Sequence, residues 1–167
     1  GDIQITYPEK LGIWENLLTH QSDATWIFLN WEGVAAEGDG VRLTTFKMSD
    51  FNIPYSYSPV IVASEDNIAS KEVEYSKFLS ATKKGFLDAI ENAEEAAKIL
   101  QKQVAKSDRH MDILATIKFS APYFGDASNW GVMESENVQR YLDWIYQHEL
   151  ETVLISVRDM VTNELLK

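Results

Sequence analysis

The sequence predicts an α/β chain built in two parts. Two observations carry that reading. Short apolar or alternating runs rich in β-branched and aromatic residues precede position 65, and apolar side chains recur at helical spacing after it. A third observation places the point of interest. The run at 24–30, Ala-Thr-Trp-Ile-Phe-Leu-Asn, reads as a buried strand that ends abruptly in Asn30, Trp31 and Glu32. Polar groups at the end of a buried strand are where α/β proteins place ligands.

Residues 3–7 alternate apolar and polar, which predicts a short strand. Pro8 suits the first turn of a helix, and Leu11, Trp14, Leu17 and Leu18 share one face, so an amphipathic helix is expected over about 8–20. A turn at 21–23 leads into the buried strand. Residues 33–36 read as a short helical turn and 37–40, Glu-Gly-Asp-Gly, as a loop. Residues 41–46 alternate again as a strand. Residues 58–63 form another, with Pro59 at its start, where a missing N–H costs nothing. A lobe boundary or hinge is placed near 65–70, dividing an α/β part, 1–65, from a mainly helical part, 66–167.

The strongest helix is expected over 72–91, with Val73, Phe78, Leu79, Phe86, Leu87 and Ile90 as its apolar stripe. Gly85 inside it costs about 1 kcal/mol relative to Ala and suggests close packing. Asn92 and Glu95 have capping-box spacing, so the next helix runs over 93–106 and buries Ala96, Ala97, Leu100 and Val104. Residues 109–119 form a further helix with Met111, Leu114, Ala115 and Phe119 inward, followed by a loop at 120–130. Ser135 caps a helix carrying Val138, Leu142, Trp144 and Ile145, and the tail ends in a helical turn at 163–166.

The 167 residues are 45% hydrophobic, enough for one sizeable core or two modest ones. The net charge of -11 argues against nucleic acid and anionic membrane surfaces as partners. No cysteine is present, which excludes disulfides, thiolate metal sites and a cysteine nucleophile. No signal peptide or membrane span is read, and the start at Gly1 suggests a processed or shortened product with any targeting segment upstream.

His20, His110 and His148 are far apart, and no metal site, cofactor or catalytic constellation is expected. The acidic pairs Glu94/Glu95 and Glu134/Glu136 lie where they complement helix dipoles, and Lys83 and Lys84 read as a solvated helix face. Glu32 differs, because it follows a strand beside aromatic rings with no cation near in sequence. A ligand amine or amino-substituted ring would give it a donor. Trp31 and Tyr55 or Tyr57 offer stacking faces, and Asn30 offers both a donor and an acceptor. A flat, nitrogen-bearing heterocycle suits these groups better than a sugar phosphate or a peptide. The opposing reading is that such a Trp is core and such a Tyr-rich turn is packing.

The stretches 26–33 (Trp-Ile-Phe-Leu-Asn-Trp-Glu-Gly), 52–62 (Asn-Ile-Pro-Tyr-Ser-Tyr-Ser-Pro-Val-Ile-Val) and 84–97, with Trp130-Gly131 and 162–165 near the end, resemble a known family. It is the thiamine-pyrimidine-precursor (NMT1/THI5-like) type of ABC-transporter solute-binding protein, which shares its fold with a pyrimidine synthase. The resemblance implies a type II periplasmic-binding-protein-like fold of two lobes that closes by hinge motion, with only the later half of the usual chain present. It implies that Asn30, Trp31, Glu32, Tyr55 and Tyr57 bind the pyrimidine, that the partner is an ABC permease, and that the site of action is extracytoplasmic, periplasmic or lipid-anchored at the cell surface. On that resemblance, residues 1–65 would belong to the second lobe and 66–167 would return to the first. Unpaired strand edges in such a half would invite dimerisation or swapping. The implied role is transport, not enzymatic. A synthase on the same fold and a derived sensory domain are the alternatives. Ala93 stands where the family usually has proline, and the synthase's cysteine-rich segment lies outside the matched part.

Overall fold

An extended segment becomes a strand only when its N–H and C=O groups find those of a neighbour. The computed structural model describes residues 2–7, 14–55 and 57–166, and among these no segment is a strand. The expected α/β, type II periplasmic-binding-protein-like architecture is thereby corrected. The described chain is helical, with extended and irregular connections. Alternation specifies which side chains share a face, but it does not supply the partner. None of the four segments expected as strands forms a ladder: the end of 24–30 coils into a helical turn, and several apolar residues of the four stay exposed, Ile3 at 87% and Val62 at 85%.

The helices follow the sequence more closely. Helix α1 is Glu15–Leu18, the end of the helix expected from Pro8; residues 8–13 lie outside the described residues. Helix α2 is Val34–Gly38, and α3, Glu65–Ile68, is a single short turn. Helix α4, Glu72–Glu91, has the expected bounds. Its stripe is not a core, however, since none of its residues is buried. A side chain at Gly85 would meet nothing within 4 Å, so the close packing expected there does not occur. Helix α5 is Ala93–Gln101, α6 is Ile113–Ser120 and α7 is Ser135–Gln147. Glu95 pairs with Lys98 at 3.3 Å on the exposed face of α5.

The chain divides into two compact units. One comprises Gly1–Thr44 and Ala89–Tyr123, the other Thr45–Asp88 and Phe124–Lys167. The first unit is centred on α5 and α6. Ala97, Met111, Ile113 and Ile117 form its buried cluster, with Trp31, Ala35, Ala96, Val104 and Leu114 packed around them. Asp112 caps α6 by accepting from the Ala115 N–H at 2.9 Å. The buried face of α6 is Ile113, Thr116, Ile117 and Ser120, whereas the sequence pointed to Met111, Leu114, Ala115 and Phe119; of these Met111 is buried ahead of the helix and Leu114 packs on the core, while Phe119 stays exposed. The helix is apolar nearly all round, so its pattern permits several phases, and its neighbours choose one.

The second unit replaces absent ladders with side-chain amides. Gln139 of α7 donates to the Ile155 carbonyl at 3.1 Å and accepts from the Val157 N–H at 2.8 Å. Asn163 makes the same two-point contact with the backbone of Met133, at 3.1 and 2.9 Å. Leu142 is the buried residue of α7, and Trp130 is buried with Phe86 against it.

Candidate functional site

The run at 24–28 ends because the backbone curls. Phe28 is extended, and its carbonyl accepts from the Trp31 N–H at 3.0 Å and the Gly33 N–H at 3.1 Å. The second bond spans five residues and makes Leu29–Gly33 a single π-helical turn that passes directly into α2. Such turns are rare and often mark functional sites. Asn30, Trp31 and Glu32 all lie on it, each half-buried.

Every one of the three has a structural task. The Glu32 carboxylate accepts from the Phe28 N–H through Oε2 at 2.8 Å, closing the turn on itself. This revises the sequence picture of an unpaired carboxylate. A side chain that reaches back to the residue preceding a helical turn does what the acidic member of a capping box does, here one position later because the turn is wider. The other oxygen, Oε1, has no partner among the described residues. The Trp31 indole packs on the α5–α6 core, so the reading of this Trp as core holds for part of its surface. Asn30 donates from Nδ2 to Ser120 Oγ at 3.1 Å, and Ser120 in turn donates to the Thr116 carbonyl at 2.9 Å. The buried Thr116 hydroxyl has no hydrogen-bond partner among the described residues.

Tyr55 and Tyr57 belong to the second unit, where both serve α7. Tyr55 sets its ring edge-on to Tyr141 with centroids 5.5 Å apart. The Tyr57 hydroxyl accepts from the Glu134 N–H at 2.9 Å, just ahead of the first turn of α7. That unit also holds a cleft of about 190 Å³ lined by Leu79, Lys83, Leu87, Trp130 and Leu166 among others. Small-molecule pockets usually begin at about 300 Å³, so this cleft is undersized for an enclosed ligand.

Ser120 and Thr116 were missed by sequence reasoning, which put Ser120 at the start of a loop. Their signal was available. Two hydroxyl residues four apart on a mostly apolar helix share one face, and on a buried face they need polar company.

The family described as NMT1/THI5 like matches residues 6–96, more than half of the chain, and all five candidate residues lie within the match. No curated protein matches the chain. No helix among the described residues is long and apolar enough to cross a membrane. The match, which includes the Asn-Trp-Glu-Gly turn, leads to one statement of kinship: the chain belongs to the NMT1/THI5-like family.

Proposed function

We propose that this chain is a substrate-binding component of an ABC uptake system that holds a thiamine-related pyrimidine or a similar small nitrogen heterocycle. It binds its ligand without transforming it, works outside the cytoplasm and delivers to a membrane permease. The family supports the class of ligand. The observation that carries the reading is the π-turn. It is anchored through the Asn30 side-chain amide on Ser120 and the Glu32 carboxylate on the Phe28 N–H, while one Glu32 oxygen and part of the Trp31 ring are left over. A carboxylate oxygen beside an aromatic face suits a flat cation or an amino-substituted ring, through a charge-assisted bond and offset stacking.

The test is calorimetric titration of an aminopyrimidine thiamine precursor into the wild-type chain and into Glu32→Gln. The expected loss in the variant exceeds about tenfold, or about 1.4 kcal/mol. Equal binding by both proteins would move the ligand away from Glu32. Recovery of a chemically altered pyrimidine after incubation would replace the transport reading with a synthase-type enzyme.

A further inference from the structure

One side-chain amide, one hydroxyl and one backbone carbonyl form a chain beneath the π-turn whose direction is fixed. Ser120 occupies the last turn of α6, and its Oγ lies 2.9 Å from the Thr116 carbonyl four residues back. A carbonyl can only accept, so the single Ser120 proton is committed to it. Ser120 Oγ then has only lone pairs to offer. The Asn30 side chain 3.1 Å away must therefore face it with its NH2 group rather than its oxygen. An amide whose nitrogen points inward turns its oxygen the other way.

We infer that Ser120 is a positioning residue: it locks the Asn30 amide so that Oδ1 is presented as an acceptor on the same turn that carries Glu32 Oε1. The inference rests on the proposed pyrimidine site and adds its polarity. Two acceptors on one turn select a ligand that brings N–H donors, an amino-substituted ring over its oxo counterpart. In the oxo compound the exocyclic group is an acceptor, and it would meet Oδ1 lone pair to lone pair. The energetic basis is the penalty for leaving a half-buried polar group unpaired, which exceeds the gain from pairing it.

The experiment has two arms on the whole chain. Hydrogen exchange of the Asn30 side-chain NH2 is followed by NMR in wild type, Ser120→Ala and Ser120→Thr, with the backbone amides of α6 as reference. Exchange in Ser120→Ala is expected to rise at least tenfold while the α6 amides stay protected. Ser120→Thr, which keeps the hydroxyl, is expected to restore the slow rate. The same proteins are then titrated with 4-aminopyrimidine and with pyrimidin-4-one. Wild type is expected to prefer the amine, and Ser120→Ala to lose at least tenfold of that preference, regained in Ser120→Thr. Unchanged Asn30 exchange in Ser120→Ala would overturn the inference, as would an unchanged ligand preference. If exchange responds as expected but neither pyrimidine binds wild type, the positioning role of Ser120 stands and the pyrimidine reading falls.

Discussion

Replacing Glu32 by alanine and by glutamine separates the two tasks of that side chain. Alanine removes the acceptor for the Phe28 N–H, which is the bond that closes the π-turn at 2.8 Å. Loss of a side-chain cap of this kind costs about 1 kcal/mol, within a range of about 0.5–2. The carboxylate's charge pushes the figure upward and its half-exposed setting pulls it down, so about 1 kcal/mol is expected. For a chain of this size that corresponds to a fall in Tm of about 2–4 °C. Glutamine keeps an oxygen at the same reach and gives up only the charge, so its cost is expected to be about half as large. Thermal unfolding followed by circular dichroism reads both. A Glu32→Ala protein as stable as wild type would mean that the contact contributes nothing, and the account of the turn would fail. Equal losses in both variants would mean that the negative charge, not the acceptor, holds the turn. The expected ordering also protects the binding test, because a ligand lost from Glu32→Gln is then lost from an intact turn.

Two glycines are expected to respond to alanine with opposite signs. Gly85 lies inside α4 with open space where a side chain would go, so Gly85→Ala is expected to stabilise by about 1 kcal/mol in urea titration. Gly125 has φ +77°, and a Cβ there would collide with Asn129 Oδ1, which accepts from the Asp126 N–H at 2.7 Å. Gly125→Ala is therefore expected to cost about 2–3 kcal/mol, from left-handed strain and one lost hydrogen bond, and a neutral result would refute the strain. Asp126 supplies a pH test. The Ser128 hydroxyl, then the Ser128 N–H, hold its carboxyl below the ordinary range, against a small opposing effect of desolvation. A depressed carboxyl contributes stability above its unfolded pKa and loses it as pH falls through the folded value. Asp126→Ala is thus expected to lower Tm at neutral pH, with the gap from wild type closing as pH falls below the ordinary carboxylate range. A gap independent of pH would assign the loss to packing.

The helices were legible because their signals are local. α4 begins and ends at the expected residues, and α7 buries Leu142 as its spacing implied. Apolar periodicity did not reveal whether a face would find a partner. The stripe of α4 is real as a pattern, yet Phe78 stays 56% exposed. The strand expectations failed for the same reason at larger separation. Residues 41–46 alternate and 58–63 form a short apolar run, but pairing depends on where distant segments lie, and neither pattern contains such information. In the second unit the needed backbone partners are instead Gln139 and Asn163, single amides that no periodicity would single out.

The site was legible in its residue types and opaque in its hydrogen bonds. Asn-Trp-Glu-Gly after an apolar run pointed to the stretch that folds as the π-turn, and the turn shows which structural tasks those types perform. Asn30 spans to α6, Trp31 covers the α5–α6 core, and Glu32 closes the backbone. Each residue therefore has a structural reason to be there, and that alone would explain the motif without any ligand. What the structural tasks do not explain is the surplus. Closing the turn needs one carboxylate oxygen and leaves the other. Anchoring the turn needs the NH2 of Asn30 and leaves its oxygen, while a plain hydrophobic contact would have anchored it without a buried hydroxyl pair on α6. Buried polar groups are costly unless each is satisfied, and Thr116 is not satisfied by any described residue. A purely structural turn is better served by apolar residues at 116 and 120. Keeping the Ser120 hydroxyl there makes sense if the orientation of Asn30 matters, and orientation matters when something outside the turn reads its oxygen.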